Sequence, residues 1–222
     1  MIPPAKNGEF VTHMEALLGL YKKPYDANNP VICMDEQPIQ LVQELRNPLP
    51  ASRNHGKRID YEYKRAGSTN AFMFCEPLKG WRDVGIRSTK TKQDWAKEVA
   101  RVLDTYYKDA GKVTLVCDNL NTHKLSSFYE TFEPELARSY VERIELKHTP
   151  VHGSWLNIAE SELSAMTRQC VKGRRFPTEE ILKEEISQWS AKINKIQRAV
   201  NWQMTMEDAR VKLRHLYPEI MT

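Results

Sequence analysis

Two short apolar runs, V-I-C-M-D-E at 31–36 and K-V-T-L-V-C-D-N at 112–119, each close on an aspartate introduced by a cysteine. Runs of this length and composition, bounded by Pro30 and Pro38 or opened by Gly111, predict buried strands. A carboxylate at the end of such a strand is not packing material, because burying an unpaired charge is expensive. Asp35 and Asp118 must therefore be paired, solvated or bound to a cation. In open α/β sheets the C-terminal ends of the strands are also where ligands bind.

The pattern around these runs alternates. Phe10, Met14, Leu17, Leu18 and Tyr21 fall on one face of a helix spanning Glu9 to Tyr21, which Pro24 ends. I-D-Y-E-Y-K-R at 59–65 and T-N-A-F-M-F-C-E-P-L at 69–78 predict two strands paired as a hairpin around Gly67. Trp81 to Arg87 either adds to that pair or leads out of it. Thr91 and Asp94 form a capping box for a helix over 91–107, whose apolar stripe is Trp95, Val99, Val102, Leu103 and Tyr106. Two short helical stretches follow Asp118, and R-I-E-L-K-H-T-P at 143–150 is a third buried strand.

The remainder is helical. One helix covers Asn157 to Cys170. Another follows Pro177 with Leu182, Ile186, Trp189 and Ile193 in phase, and a last is capped near Thr205 with Ala209, Leu213 and Leu216 inward. Such alternation predicts an α/β sheet with helices on both faces.

The chain has 222 residues, enough for one large domain or a domain plus an appendage, and a formal charge of +4. A mildly basic balance is compatible with a polyanionic partner. No apolar run approaches the roughly 18 residues of a membrane span, and M-I-P-P-A-K-N-G-E-F lacks a signal-peptide core, so a cytoplasmic protein is expected. Cys33, Cys75, Cys117 and Cys170 are scattered without a C-x-x-C pair. They read as small buried hydrophobes, not a disulfide framework or a zinc site.

A third acid stands out in W-L-N-I-A-E-S-E. If Asn157 caps the helix, Glu160 occupies its third position, where the helix dipole favours an ionised carboxylate. Leu156, Ala159, Leu163 and Met166 take the apolar face, with Glu160 beside it. Three converging carboxylates raise one another's pKa unless cations neutralise them. Mg²⁺, a hard ion with oxygen ligands, is suited to that, and two ions about 4 Å apart can serve phosphodiester chemistry. Each acid also has an ordinary role open to it: a strand-end aspartate is often a turn or cap residue, and N-x-x-E is also a capping box.

The segments C-M-D-E at 33–36, V-C-D-N-L-N-T-H at 116–123 and H-T-P-V-H-G-S-W-L-N-I-A-E at 148–160 resemble the three blocks of DDE transposases of the mariner superfamily, most nearly its bacterial insertion sequence 630 branch. D-Y-E-Y-K-R-A-G, F-M-F-C-E-P-L-K-G-W and M-E-D-A-R-V-K-L resemble that branch too, so the likeness runs from Ile2 along nearly the whole chain. It implies an RNase H-like fold: a mixed five-stranded sheet with helices on both faces, Asp35 on the first strand, Asp118 after the fourth and Glu160 on a following helix. It assigns the three acids as catalytic residues and as ligands of two Mg²⁺ ions, with Mn²⁺ able to substitute. Water then cuts at the transposon end, and the freed 3′-OH attacks target DNA at TA sites, with a homodimer assembled on the DNA. The third acid of the motif falls on Glu160, leaving Glu162 as its nearest competitor.

The likeness has departures. Ile158 stands where many relatives carry proline. The 41 residues between Asp118 and Glu160 exceed the usual mariner spacing, which places an insertion in 124–142. Relatives also carry an N-terminal helix-turn-helix region that reads the transposon ends, and there is no room for one before Ile2. The expected division is a lead-in and helix over 1–30 and the catalytic domain over 31–222, the cutting and joining half without the part that chooses where to cut. A truncated, non-catalytic relic that binds DNA or transposase subunits is the alternative, and a resolvase- or RNase H-type nuclease is a third reading.

Candidate DNA contacts are the basic clusters Arg53, Lys57, Arg58 and Lys172, Arg174, Arg175. His123 and His152, with His148, could touch phosphate or orient a water, and Trp155 could stack on a splayed base. Each has a plainer role as well: a solvated charge, a local hydrogen bond or a loop anchor. Asn119 and Asn121 suit turn and capping roles.

Overall fold

The computed structural model describes residues 7–219 apart from 57 and 59. The start of the lead-in and the candidate Lys57 lie outside the described residues. Helix α1 (Gly8–Tyr21) begins where Asn7 Oδ1 accepts from the backbone of Glu9 and Phe10, and it buries the five expected side chains. Strands β1 (Val31–Glu44), β2 (Tyr63–Glu76) and β3 (Trp81–Arg87) follow, then α2 (Lys92–Tyr106), β4 (Val113–Cys117), α3 (Ser126–Tyr129), α4 (Pro134–Arg143) and β5 (Ile144–His148). The chain continues through α5 (Ile158–Met166), α6 (Glu179–Ile196) and α7 (Met206–Lys212).

The five strands form one mixed sheet in the order β3-β2-β1-β4-β5. β1, β4 and β5 are parallel; β2 pairs antiparallel with β1 and β3 antiparallel with β2, so β2 runs opposite to the other four. Side chains alternate between the faces as a pleated strand requires. Cys33, Val116, Ala71, Met73 and Cys75 meet α1, α5, α6 and α7 on one face. Ile32, Met34, Phe72, Phe74, Leu115 and Cys117 meet α2, α3 and α4 on the other. The helices therefore cover both faces, as the alternation predicts, and all four cysteines are buried free thiols.

Three local expectations are corrected. Gly67 does not turn a hairpin: the 14-residue strand β2 runs straight through it, pairing with β1 on both sides. The register between Gln40 and Val42 slips opposite this point, and Gly67 has φ +101. It is a β-bulge, the site where an extra residue needs backbone freedom that only glycine offers cheaply. Likewise Pro38 does not end β1, which continues to Glu44. β4 pairs with β1 only at Val31–Cys33, so beyond that point β1 has a neighbour on one side alone and tolerates a missing N–H. Finally, Tyr106 is exposed while Tyr107 is buried. Tyr107 lies one step past the helix, at its C-cap, and turns its hydroxyl onto Glu76 Oε2 at 2.8 Å.

Candidate active site

Asp35 lies two residues past Cys33 on β1, and Asp118 lies two past Val116 at the end of β4. Cys33 and Val116 are partners in the parallel ladder. The two aspartates thus fall at the same level on neighbouring strands, where β4 stops and β1 runs on alone. Glu160 approaches from above. Asn157 caps α5, its Oδ1 accepting from the backbone of Ala159 at 3.1 Å, and Glu160 sits in the first turn. The capping-box alternative is not formed: the Asn157 N–H donates to the carbonyl of Ser154 at 2.7 Å, leaving the Glu160 carboxylate exposed to solvent.

Asp35 and Glu160 line a depression of about 420 Å³ together with Glu36, Gln37, Leu163, Ser164, Thr167 and Arg168. Burial pushes the Asp35 carboxyl up to about 6, and repulsion from Asp118 and Glu160 adds to it, against the Glu36 backbone N–H that donates to Asp35 Oδ1. None of the three acids is ion-paired to lysine or arginine among the described residues. Asp118 Oδ1 is buried without a hydrogen-bond partner, although it lies 2.6 Å from His123 Nδ1 at an ion-pair distance. Three carboxylates, none paired to lysine or arginine among the described residues, are the kind of oxygen donor a hard divalent cation takes. In this arrangement no three His, Cys, Asp or Glu groups among the described residues are drawn together closely enough to hold an ion.

Glu162 is occupied elsewhere. Its two oxygens accept from Arg82 Nε and a terminal guanidinium nitrogen at 2.6 and 2.7 Å, a bidentate pair with both side chains largely buried.

The other candidates separate by exposure. His123 is fully buried, so it cannot touch a DNA backbone; it lies beneath the aspartates, its Nε2 3.0 Å from Glu36 Oε1. Burial opposes its protonation, but Asp118, Cys117 and Glu36 outweigh that and hold its pKa well above the ordinary range. His148 Nδ1 faces the Asp118 carbonyl at 3.1 Å, and burial lowers its pKa. Arg175 is engaged by the carboxylate of Glu44, the carbonyls of Asp60 and Glu62, and the ring of Tyr63. Arg174 pairs with Glu185. Arg53, Arg58 and Lys172 are exposed and make no side-chain ion pair among the described residues. His152 is exposed in a left-handed turn with φ 65, and Trp155 is partly exposed on the short 3-10 turn Ser154–Leu156.

Sequence reasoning missed Glu36 and Arg168. Alternation along β1 was the available signal for Glu36, since the residue after Asp35 must face the opposite side. Arg168 sits in a π-helical turn, Thr167–Val171, that continues α5. Such turns are uncommon and favour functional sites.

A mixed sheet of five strands in this order, with helices on both faces, defines an RNase H-like fold. Residues 30–183 match the DDE superfamily endonuclease family, more than half the chain, and the chain belongs to that family. In fold it is similar to the Mos1 mariner paired-end complex with Mg, at TM-score 0.56 and 14% identity over 99% of this chain and 66% of that one. The Mos1 paired-end complex with Mn gives 0.54 and 15% over 97% and 62%. The Mos1 strand transfer complex gives 0.55 and 13% over 97% and 62%. At these identities the likeness establishes the RNase H-like fold, and the chain spans about 62% of the Mos1 chain's length. No curated protein matches it in sequence. No helix among the described residues is long and apolar enough to cross a membrane.

Proposed function

We propose that this chain is the catalytic domain of a mariner-type DDE transposase, nearest the insertion sequence 630 branch, which cuts DNA at transposon ends and joins the freed 3′-OH to target DNA. The observation that carries this reading is the level placement of Asp35 and Asp118 on adjacent parallel strands, with Glu160 lining one depression with Asp35. These three carboxylates would hold two Mg²⁺ ions, with Mn²⁺ able to replace them. Bound there, the ions would supply activation of the attacking oxygen and charge stabilisation at the leaving 3′ oxygen.

The chain's own residues would hold the carboxylates in place and line up the substrate. The Asn157 cap and the sheet register fix where the carboxylates stand. The exposed cations Arg53, Arg58, Lys172 and Arg168 would lie along a phosphate backbone. Terminal-repeat DNA, a TA-containing target and a homodimer on the DNA belong to the same proposal, which draws support from the Mos1 paired-end neighbours.

The test is Mg²⁺- or Mn²⁺-dependent nicking and strand transfer on terminal-repeat duplex by the parent and by Asp35→Ala. Loss of both reactions in the variant is expected. Equal cleavage by Asp35→Ala would remove the site assignment. DNA binding without turnover in any divalent metal would instead favour the non-catalytic relic.

A further inference from the structure

Glu36 follows Asp35 on β1 and so faces the opposite side of the sheet. There its Oε1 lies 3.0 Å from His123 Nε2, with both side chains almost wholly buried. The other ring nitrogen, Nδ1, lies 2.6 Å from Asp118 Oδ1 and 3.3 Å from the Asp118 carbonyl oxygen. Trp95 stacks on the imidazole, ring centroids 5.5 Å apart and 28° between planes. The Glu36 backbone N–H donates to Asp35 Oδ1 at 2.7 Å. One chain of polar contacts therefore runs from the Asp35 segment, under the sheet, to the Asp118 carboxylate.

We propose that Glu36 and His123 are positioning residues, a buried strut that holds the Asp118 carboxylate at a fixed separation from Asp35. The inference rests on the metal reading above and assigns these residues the task of setting the gap between two of its ligands. Apolar side chains of similar volume would fill this space without desolvating charge, and buried ion pairs are a poor route to stability. What the polar pair adds is direction. Asp118 stands past the end of β4, where its backbone has left the ladder, and the imidazole restrains the carboxylate by one oxygen. Groups that orient ligands from behind in this way typically change metal affinity by about 10–100-fold when removed.

The experiment is Mn²⁺ binding to the full chain by calorimetry and electron paramagnetic resonance, with a thermal melt on each variant. Glu36→Ala is expected to weaken Mn²⁺ binding about ten-fold or more. Glu36→Gln, which keeps an acceptor for Nε2, should stay close to the parent. Glu36→Leu refills the space if the alanine variant does not fold, and it should show the same loss. A merely structural role would lower the melting temperature and leave the affinity of the folded protein unchanged. Parent-like Mn²⁺ affinity in Glu36→Ala or Glu36→Leu, alongside its loss in Asp118→Ala, overturns the strut and leaves the metal site standing. If Asp118→Ala also binds Mn²⁺ like the parent, the metal reading fails and the strut with it.

Discussion

The side-chain amide of Asn157 donates to the carbonyl oxygen of Met34 across 2.8 Å, tying the first turn of α5 to β1 one residue ahead of Asp35. The same side chain caps the helix through Ala159, and it is almost fully buried. Asn157→Ala removes both bonds and leaves the Met34 carbonyl unsatisfied, at about 1–3 kcal/mol measured by urea unfolding. Asn157→Asp keeps the cap acceptor but loses the donor and buries a charge against a carbonyl. Both variants should lose more cleavage activity than their stability predicts at temperatures where they remain folded, because Glu160 rides on that turn. Activity that tracks the folded fraction alone would show the bond to be structural only.

Asp35 links function to a stability cost. Its folded pKa of about 6 stands above the ordinary 3.8, so the native state holds the proton more tightly than the unfolded chain does. Stability is therefore lost as pH rises from 3.8 through 6 and stays lost above it, by about 3 kcal/mol at most. Without divalent metal, Asp35→Asn should melt above the parent at pH 8, with the gain shrinking toward pH 4. Added Mg²⁺ should stabilise the parent and not the variant. A variant that melts below the metal-free parent at pH 8 would show that Asp35 is not held in an unfavourable charge state.

Much of this fold was legible because burial writes a period into the chain. The capping box of Thr91 and Asp94 is local and forms as expected, as do Trp95, Val99, Val102 and Leu103 of the α2 stripe, Tyr106 being the exception. What failed depends on neighbours that a sequence does not display. Pro38 and Gly67 are ordinary turn residues until β1 is known to have one free side and β2 a partner whose register slips. In the candidate site, Asp118 follows the end of β4 as its apolar run suggests, whereas Asp35 stands inside β1, and the contact between Glu36 and His123 joins residues 87 apart and has no local signature. Nor could charge clusters show which arginines are already engaged within the molecule.

The bulge gives its own test. A Cβ at Gly67 meets nothing within 4 Å, yet φ is +101. Gly67→Val should therefore lose about 1–3 kcal/mol through backbone strain alone, with no change in side-chain packing. Chemical denaturation measures it. A hairpin turn elsewhere would leave this position tolerant.

The cations should divide in DNA binding. Arg53→Ala and Lys172→Ala should each lower non-specific affinity and reduce the slope of log affinity against log salt by about one, as for a lost phosphate contact. Arg175→Ala should instead destabilise the protein, because its guanidinium bridges Glu44 and the 60–62 segment. Fluorescence anisotropy across a salt series, read beside a melt, separates the two outcomes. A slope unchanged in both Arg53→Ala and Lys172→Ala would place the DNA on another face.

Glu160 and Glu162 lie two residues apart on α5 and should behave oppositely. Glu162 closes a bidentate pair with Arg82, whose guanidinium also donates to the carbonyls of Gly80 and Arg198. Removing one member of a largely buried pair leaves the other charge uncompensated, which costs about 3–5 kcal/mol. Glu162→Gln should therefore unfold at markedly lower denaturant while its folded fraction keeps parent-like Mn²⁺ affinity. Glu160→Gln, at an exposed position with no partner among the described residues, should leave stability nearly unchanged and remove metal-dependent cleavage. The pair of variants decides which glutamate serves the site: if Glu162→Gln loses Mn²⁺ binding and Glu160→Gln retains it, the third ligand has been placed on the wrong turn of α5. That outcome would also require Arg82 to release its partner, since a carboxylate held by two guanidinium nitrogens has its inner lone pairs already engaged.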